Sequence, residues 1–258
     1  MEGQISRREI LLGLGIFIAV SVLSVSLSGY IKEQQLRRYI LVEQSLKVTE
    51  ADKLAYGVST NVGNILVYGA IKAVDHKAMP EIKGEYSVID RIEEHYNLHY
   101  RTESYSCGKS TCEREVPYYS WDYAGESDLS AGSYNVIDTK VGNLCQPSTH
   151  WADLSSLYIG HDRHDGSYSY PGGLFGDVRY HWELSDTDHT GSVFMRAFNG
   201  RITDPFGGSC LSYYDGKAIQ QVVDDYQPND TLITWLFIGL VILVISIYSY
   251  FAYEDDIC

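Results

Sequence analysis

The chain has 258 residues, a formal net charge of −14 and 22 tyrosines. So acidic a balance excludes a nucleic-acid binder, which carries a basic face, and opposes docking on anionic lipid. The length holds one domain of ordinary size plus additional segments.

The first such segment opens the chain. Ile10 to Ile31 contains no charged residue, and as a helix at ~1.5 Å per residue it would extend roughly 33 Å, enough to cross a hydrocarbon core. Arg7, Arg8 and the small residues Ser26-Leu27-Ser28-Gly29 also fit a signal peptide. The apolar run exceeds the usual ~7–15 residues of such a peptide, which favours an uncleaved anchor. Thr231 to Tyr253 is a second uncharged run, with Trp235 near one end and Tyr248, Tyr250 and Tyr253 near the other as interfacial anchors.

The expectation is therefore a two-pass membrane protein. Arg7 and Arg8 precede the first span and Lys32, Arg37 and Arg38 follow it, so basic residues do not orient it. Cysteines do: Cys107, Cys112, Cys145 and Cys210 fall in the middle region, an even number that suits two disulfides in an oxidising compartment. This puts the middle domain outside, both termini in the cytoplasm and Cys258 as a reduced thiol. The expected organisation is an N-terminus at 1–9, transmembrane helices at 10–31 and 231–253, a juxtamembrane helix at 32–56, an extracytoplasmic domain at 57–226, a linker at 227–230 and a tail at 254–258. The fold class is mainly β, a barrel- or sandwich-like domain between two transmembrane α-helices.

Along the middle region, Asn64 to Val74 is rich in β-branched residues and reads as a strand, followed by a connection over Met79 to Gly84. Tyr86, Val88, Ile92, Tyr96, Leu98 and Tyr100 all fall on even positions, the period of a long strand with one face on a core. Asp90 and Glu94 share that phase, which predicts a bulge or a strand that outruns its core. Glu113 to Tyr123 is a further strand, and Pro117, which cannot donate to a ladder, predicts an edge strand or a bulged one there. Asp177 to Leu184 and Ser192 to Phe198 are two more, with Asn199-Gly200 a hairpin turn into Arg201 to Thr203. A helix is expected over Lys217 to Tyr226, and residues 125–176 read as loop-rich.

Cys107-Gly-Lys-Ser-Thr-Cys112 lacks the second ligand pair that zinc requires, and it lacks the earlier glycine and following helix of a phosphate loop. Two period-two strands flank it, so the expectation is a hairpin stapled by Cys107–Cys112 across a four-residue turn, with Cys145–Cys210 as the other bridge. In Gly160-His-Asp-Arg-His-Asp-Gly166, His161, Asp162, His164 and Asp165 are the metal-ligand candidates, against a simpler reading as a solvated turn. Asp186-Thr-Asp188-His-Thr-Gly191 opens like a calcium loop, but Ala197 stands where a bidentate Glu is needed, so a hairpin turn is preferred. No cofactor is implied. Asn229-Asp-Thr231 is formally a glycosylation acceptor, read instead as a helix N-cap region.

The series Gly63, Ile65, Val67, Gly69 and Ile71, the turn at Pro80, and the long Tyr/Glu strand between two apolar runs resemble the GIDE/BAM domain, a small β-domain between membrane helices. Gly84-Glu85-Tyr86, Tyr96, His99, Arg101-Thr102, Gly108-Lys109, Arg114 and Tyr119-x-Trp121-Asp122 are similar to a group of uncharacterised two-span membrane proteins of Gram-positive bacteria and their phages. The resemblance implies a β fold and no assigned activity.

The functional expectation is a non-enzymatic, membrane-anchored structural or interaction protein, a subunit of a membrane-associated or virion-membrane assembly. Its partners would be the bilayer and either further copies or other subunits. Tyr105, Tyr118, Tyr119, Trp121 and Tyr123 are the interaction candidates, the alternative being that their rings fill the core. A receptor or exclusion-type surface factor is a second reading. A metal-dependent hydrolase using the His161/His164 loop is a third.

Overall fold

The structure is a computed structural model that describes residues 7–108, 110–145, 147–172, 177–229, 234–235 and 238–242; within the first helix, side chains are described at 22, 23 and from 25 onward. The chain divides into two units, Met1–Ser45 with Gln220–Cys258, and Leu46–Ile219. In the first unit, α1 (Arg7–Glu43) is a single helix. An i,i+4 pair, Glu33 with Arg37 at 2.7 Å, supports its exposed surface, and Ser45 Oγ donates to the Val42 carbonyl just past its end.

Among the described residues no helix is long and apolar enough to cross a membrane. This overturns the two-pass placement with both termini internal and the middle domain outside. Past Ile31 the same helix carries Lys32, Glu33, Arg37 and Arg38. The expected second span, 231–253, the tail at 254–258 and the Asn229-Asp-Thr231 acceptor fall mostly outside the described residues.

The expected helix over 32–56 is interrupted. β1 (Leu46–Val48) leaves α1 and adds in parallel to the second strand, with Leu46 opposite Ile65 and Val48 opposite Val67. Burying Val48 in that pairing outweighs helical continuation. α2 (Ala51–Ser59) then lies on this pair, close enough that a Cβ on Gly57 would sit 3.0 Å from Leu46 Cδ2.

The 46–219 unit is mainly β. Its first half contains β2 (Gly63–Ala73), β3 (Lys77–Met79), β4 (Ile82–Tyr86), β5 (Val88–Cys107), β6 (Ser110–Ser130), β7 (Tyr134–Val136) and β8 (Thr139–Val141). There follow β9 (Leu144–Cys145), β10 (His150–Trp151), α3 (Leu154–Leu157), β11 (Arg163–His164) and β12 (Ser169–Tyr170). β13 (Val178–Ser185), β14 (Asp188–Phe198), β15 (Arg201–Thr203) and β16 (Leu211–Asp215) complete it, and α4 (Ile219–Asp225) follows. The described residues between 125 and 172, expected as loop, thus include the end of β6, several two- and three-residue strands and the short α3, elements too short to leave a periodic signal.

One sheet runs β8-β7-β2-β14-β16-β9, with β1 also on β2 and β15 also on β14. Its core holds Ile65, Val67, Ile71, Val193, Met195, Tyr134 and, from α2, Leu54. Cys145–Cys210 ties the parallel β9/β16 margin of this sheet. The other sheet runs β11-β12-β13-β5-β6, with β10 on β13. It has its own core of Ile82, Tyr86, Ile89, Ala152, Leu154, Trp182 and Leu184.

Asp186–Thr187 is not a hairpin turn, although it joins consecutive strands. β13 pairs with β5 and β14 with β2, so the chain crosses here from one sheet to the other. The crossing is fastened by hydrogen bonds: Ala73 N–H to Thr187 O at 2.8 Å, and Ser87 N–H to Ser185 O at 2.9 Å. Asn199-Gly200 does turn β14 into β15, with φ of +49° and +70°.

The β7–β8 turn is less expected. Ile137 and Asp138 both have positive φ, +43° and +67°, an unfavourable state for a β-branched residue. Ile137 packs over Gly69 of β2, where an added Cβ would lie 2.6 Å from Ile137 Cγ1. Glycine at 69 is thus what lets the turn seat its side chain. Gly69→Ala should cost about 1–3 kcal/mol of stability, read as the urea midpoint at constant m. Adding Ile137→Gly should recover part of that loss; equal midpoints for wild type and Gly69→Ala would refute the contact.

Candidate functional site

β5 and β6 form the longest element pair in the described chain, paired from Val88–Ser130 at the base to Cys107–Ser110 at the tip. β13 supports β5 only from Val88 to His95. From Tyr96 to Cys107 the two strands continue as a two-stranded arm, about 40 Å long at ~3.3 Å per residue. The register shift between Glu93 and Glu94 falls where the arm begins. Both consequences expected of the misplaced acids are thus present, the bulge and the overrun.

The tip differs in detail from the expected geometry. Cys107 pairs with Ser110, so the connection is two residues, Gly108 at φ +81° and position 109, which lies outside the described residues. The Cys107–Cys112 bridge consequently joins diagonal positions, at Cα–Cα 5.8 Å, rather than opposite ones.

The two faces of the arm are chemically distinct. The even positions of β5 with the odd positions of outer β6 gather Tyr96, Leu98, Tyr100, Pro117, Tyr119 and Trp121 in the half of the arm next to the sheet, and Glu115 and Glu113, opposite Thr102 and Ser104, bring charge to this face only toward the tip. Tyr96 stacks on Tyr119 at 5.1 Å and meets Trp121 at 5.0 Å. Tyr100 is 62% and Tyr119 57% exposed. The opposite face is laced by ions. Asp122 accepts from Asn97 Nδ2 at 2.9 Å, His99 Nε2 at 2.7 Å and Ser120 Oγ at 3.1 Å, and these bonds hold its carboxyl below the usual range. Glu103 accepts from Arg101 at 2.7 Å and Arg114 at 3.2 Å, and these cations lie over Tyr118 and Tyr105 respectively.

The five aromatic candidates are divided between the two faces: Tyr119, Trp121 and Tyr123 lie on the face of Tyr96, Tyr123 opposite Glu94, and Tyr105 and Tyr118 lie on the ionic one. Tyr96, Leu98 and Tyr100, read from periodicity as core-facing, are exposed instead. At the base the buried side is the odd one, where Ile89 faces Leu184.

A clamp marks the junction of arm and sheet. Arg179 on β13 donates to Glu94 at 2.7 Å, and its guanidinium lies 3.8 Å from the Tyr168 ring centre and 4.4 Å from that of Trp121. His181, 5% exposed, packs on Trp151 at 4.3 Å; burial lowers its pKa, opposed by Glu94 at 3.6 Å. Below the clamp, Asp90, Asp128, Glu126 and Glu183 share one face. Burial, and then these neighbouring carboxylates, push Asp90 up from 3.8 to about 6.

The Gly160–Gly166 segment folds as a turn with a two-residue strand. Asp165 accepts from the Ser167 and Tyr168 amides at 3.1 and 2.8 Å and from the Tyr170 hydroxyl at 2.7 Å, while His164 rests against Tyr158. His161 and Asp162 lie in the bend before it. Among the described residues no group of three or more His, Cys, Asp or Glu is placed to hold a metal ion. A serine–histidine cluster that sequence reasoning missed lies at the sheet crossing, with His189 Nε2 3.2 Å from Ser87 Oγ and 3.3 Å from Ser185 Oγ. Both serines are fully buried, so neither meets a substrate and the cluster acts as a polar seam.

No protein family, curated protein or solved structure matches the chain.

The two bridges should behave differently when removed. Cys145–Cys210 closes a separation of 65 residues inside a core sheet, and its loss should lower global stability by about 4 kcal/mol. Cys107→Ser with Cys112→Ser should leave the global urea midpoint in place and speed amide hydrogen exchange only at the arm tip; a midpoint shift as large as that of the first pair would place the arm within the cooperative core. For Asp90, the raised pKa means that the folded state takes up a proton more readily than the unfolded one. Its contribution is full below 3.8 and is lost as pH rises through about 6. Asp90→Asn should therefore flatten the fall in melting temperature across that window, and parallel profiles for the two proteins would contradict this.

Proposed function

We propose that this chain is a non-enzymatic structural or interaction protein, a subunit of an assembly that engages its partner through the β5–β6 arm. The observation that carries this reading is an arm that continues beyond β13 and bears, over the pairs Tyr96–Trp121, Leu98–Tyr119 and Tyr100–Pro117, an uncharged and largely exposed aromatic surface. Exposed contiguous apolar surface of this kind marks interaction sites, and Tyr and Trp bring large contact area at small entropic cost. The Arg179 clamp supports it as well, since it fixes the arm's root against the sheet and keeps the face preorganised. The two disulfides support an oxidising setting for the 46–219 unit. We read the larger sheet as a half-barrel closed on one side by α2, a body that serves as the arm's mount.

The test is native mass spectrometry of the gently purified full chain and of the Tyr100→Ser, Tyr119→Ser double variant. Both side chains are exposed, so the variant should keep wild-type stability within about 0.5 kcal/mol. The wild type should run as a discrete multimer or with a stoichiometric companion, and the variant as a lone chain. An assembly that persists unchanged in the variant would rule the arm out.

A further inference from the structure

We infer that the arm's partner is a second copy of this chain, added edge to edge along β5. The inference rests on the arm being the binding element, and it follows from a difference between the arm's two long edges. Tyr96 N–H donates at 2.8 Å to Asp177 O, on the side away from β6. Backbone alternation then turns the N–H and C=O of Leu98, Tyr100, Thr102, Ser104 and Ser106 to that same outer side. Among the described residues no strand pairs with β5 beyond His95.

The outer edge of β6 is guarded. Pro117 stands opposite Tyr100, whose polar groups point outward, so Pro117 also takes an outward position and offers no N–H there. A register irregularity follows at the arm's root. From Tyr96 to Cys107, β5 contains no Pro, Gly or Lys and no bulge, the devices by which exposed edges are normally protected. One edge is blocked and the other is open to a strand.

Charge selects the occupant and the register. When β5 pairs antiparallel with its own counterpart about a two-fold at Thr102, Arg101 of each copy stands opposite Glu103 of the other. Tyr100 then faces Ser104 and Leu98 faces Ser106, and every outward backbone group between Leu98 and Ser106 finds a partner. Moving the two-fold to Arg101 sets guanidinium against guanidinium, and moving it to Glu103 sets carboxylate against carboxylate, both unfavourable. The paired arms make a four-stranded sheet whose two aromatic stripes share one side. The bodies lie at opposite ends, about 45 Å apart at ~3.3 Å per residue, several times the ~10 Å screening length at 0.1 M salt. The net charge of −14 thus does not oppose the contact.

The decisive variant is Thr102→Cys in the full chain with Cys258→Ser. Thr102 is the residue that meets itself, and hydrogen-bonded cross-strand Cα atoms ~5.5 Å apart are within disulfide reach. Mild oxidation should give a covalent dimer on a non-reducing gel. Ser104→Cys alone should stay monomeric, and mixed with Tyr100→Cys it should give the heterodimer. As a check independent of added thiols, wild type should sediment as a dimer. Arg101→Glu or Glu103→Arg should each weaken it about tenfold, and the double swap should restore it. A wild-type monomer, or a dimer that Thr102→Cys does not trap, overturns the inference. If the wild-type monomer still carries a different stoichiometric companion that Tyr100→Ser, Tyr119→Ser releases, self-pairing fails while the arm reading stands. If that variant changes nothing, both fall.

Discussion

The shape of the second sheet depends on where β13 begins. β13 pairs with β5 as far as Val178 opposite His95, while β5 and β6 continue a further twelve residues to Cys107. At that limit Arg179 meets Glu94 and is held between Tyr168 and Trp121. The Arg179 side chain is largely enclosed, its charge is met by the Glu94 carboxylate, and two aromatic rings lie close to the guanidinium, a combination suited to Arg and not to Lys. This arrangement converts a flexible two-stranded ribbon, marginal alone in water, into a directed projection.

What the arm lacks in a core it replaces with cross-strand pairs. On its ionic face, Glu103 shared between Arg101 and Arg114, and Asp122 shared among Asn97, His99 and Ser120, link β5 to β6 along the arm. Individually such exposed pairs contribute little. Their placement on one face leaves the other uncharged over the pairs Tyr96–Trp121, Leu98–Tyr119 and Tyr100–Pro117, and that separation of roles leaves aromatic rings exposed there. The tip bridge completes the device by preventing the ends from fraying.

Much of this was legible in the residues. Cysteine spacing gave both bridges, Pro117 gave the edge strand, and Asp90 with Glu94 on an apolar phase announced an irregular, overrunning strand. The phase itself misled: Tyr96, Leu98 and Tyr100 continue the period of Val88 and Ile92, but periodicity reports that one face differs from the other and not which face meets a core. Ile89, on the opposite phase, is the buried residue at the base. The Asp186–Thr187 crossing was hidden for a different reason. Two strands joined by two residues look like a hairpin, and only pairing with the distant β2 and β5 assigns them to separate sheets. The Ile137–Asp138 turn was hidden because a β-branched residue stands where a turn residue is expected, and Gly69 on another strand supplies the space for its side chain.

The acidic cluster at the arm's base fits the same division of labour. Asp90, Asp128, Glu126 and Glu183 crowd one face just below the clamp, and burial adds to their mutual repulsion in disfavouring an ionised Asp90. A sheet built only for stability would place apolar residues there, as it does on the other side with Ile89 and Leu184. Like charges at that position do have one structural effect: they disfavour strand addition or face-to-face packing over the base of the sheet. The aromatic stripe begins immediately past the clamp, where this repulsion ends. The base thus carries like charges on the face where the first cross-strand pairs of the arm carry rings, so strand addition or face-to-face packing is opposed at the base and not at those pairs.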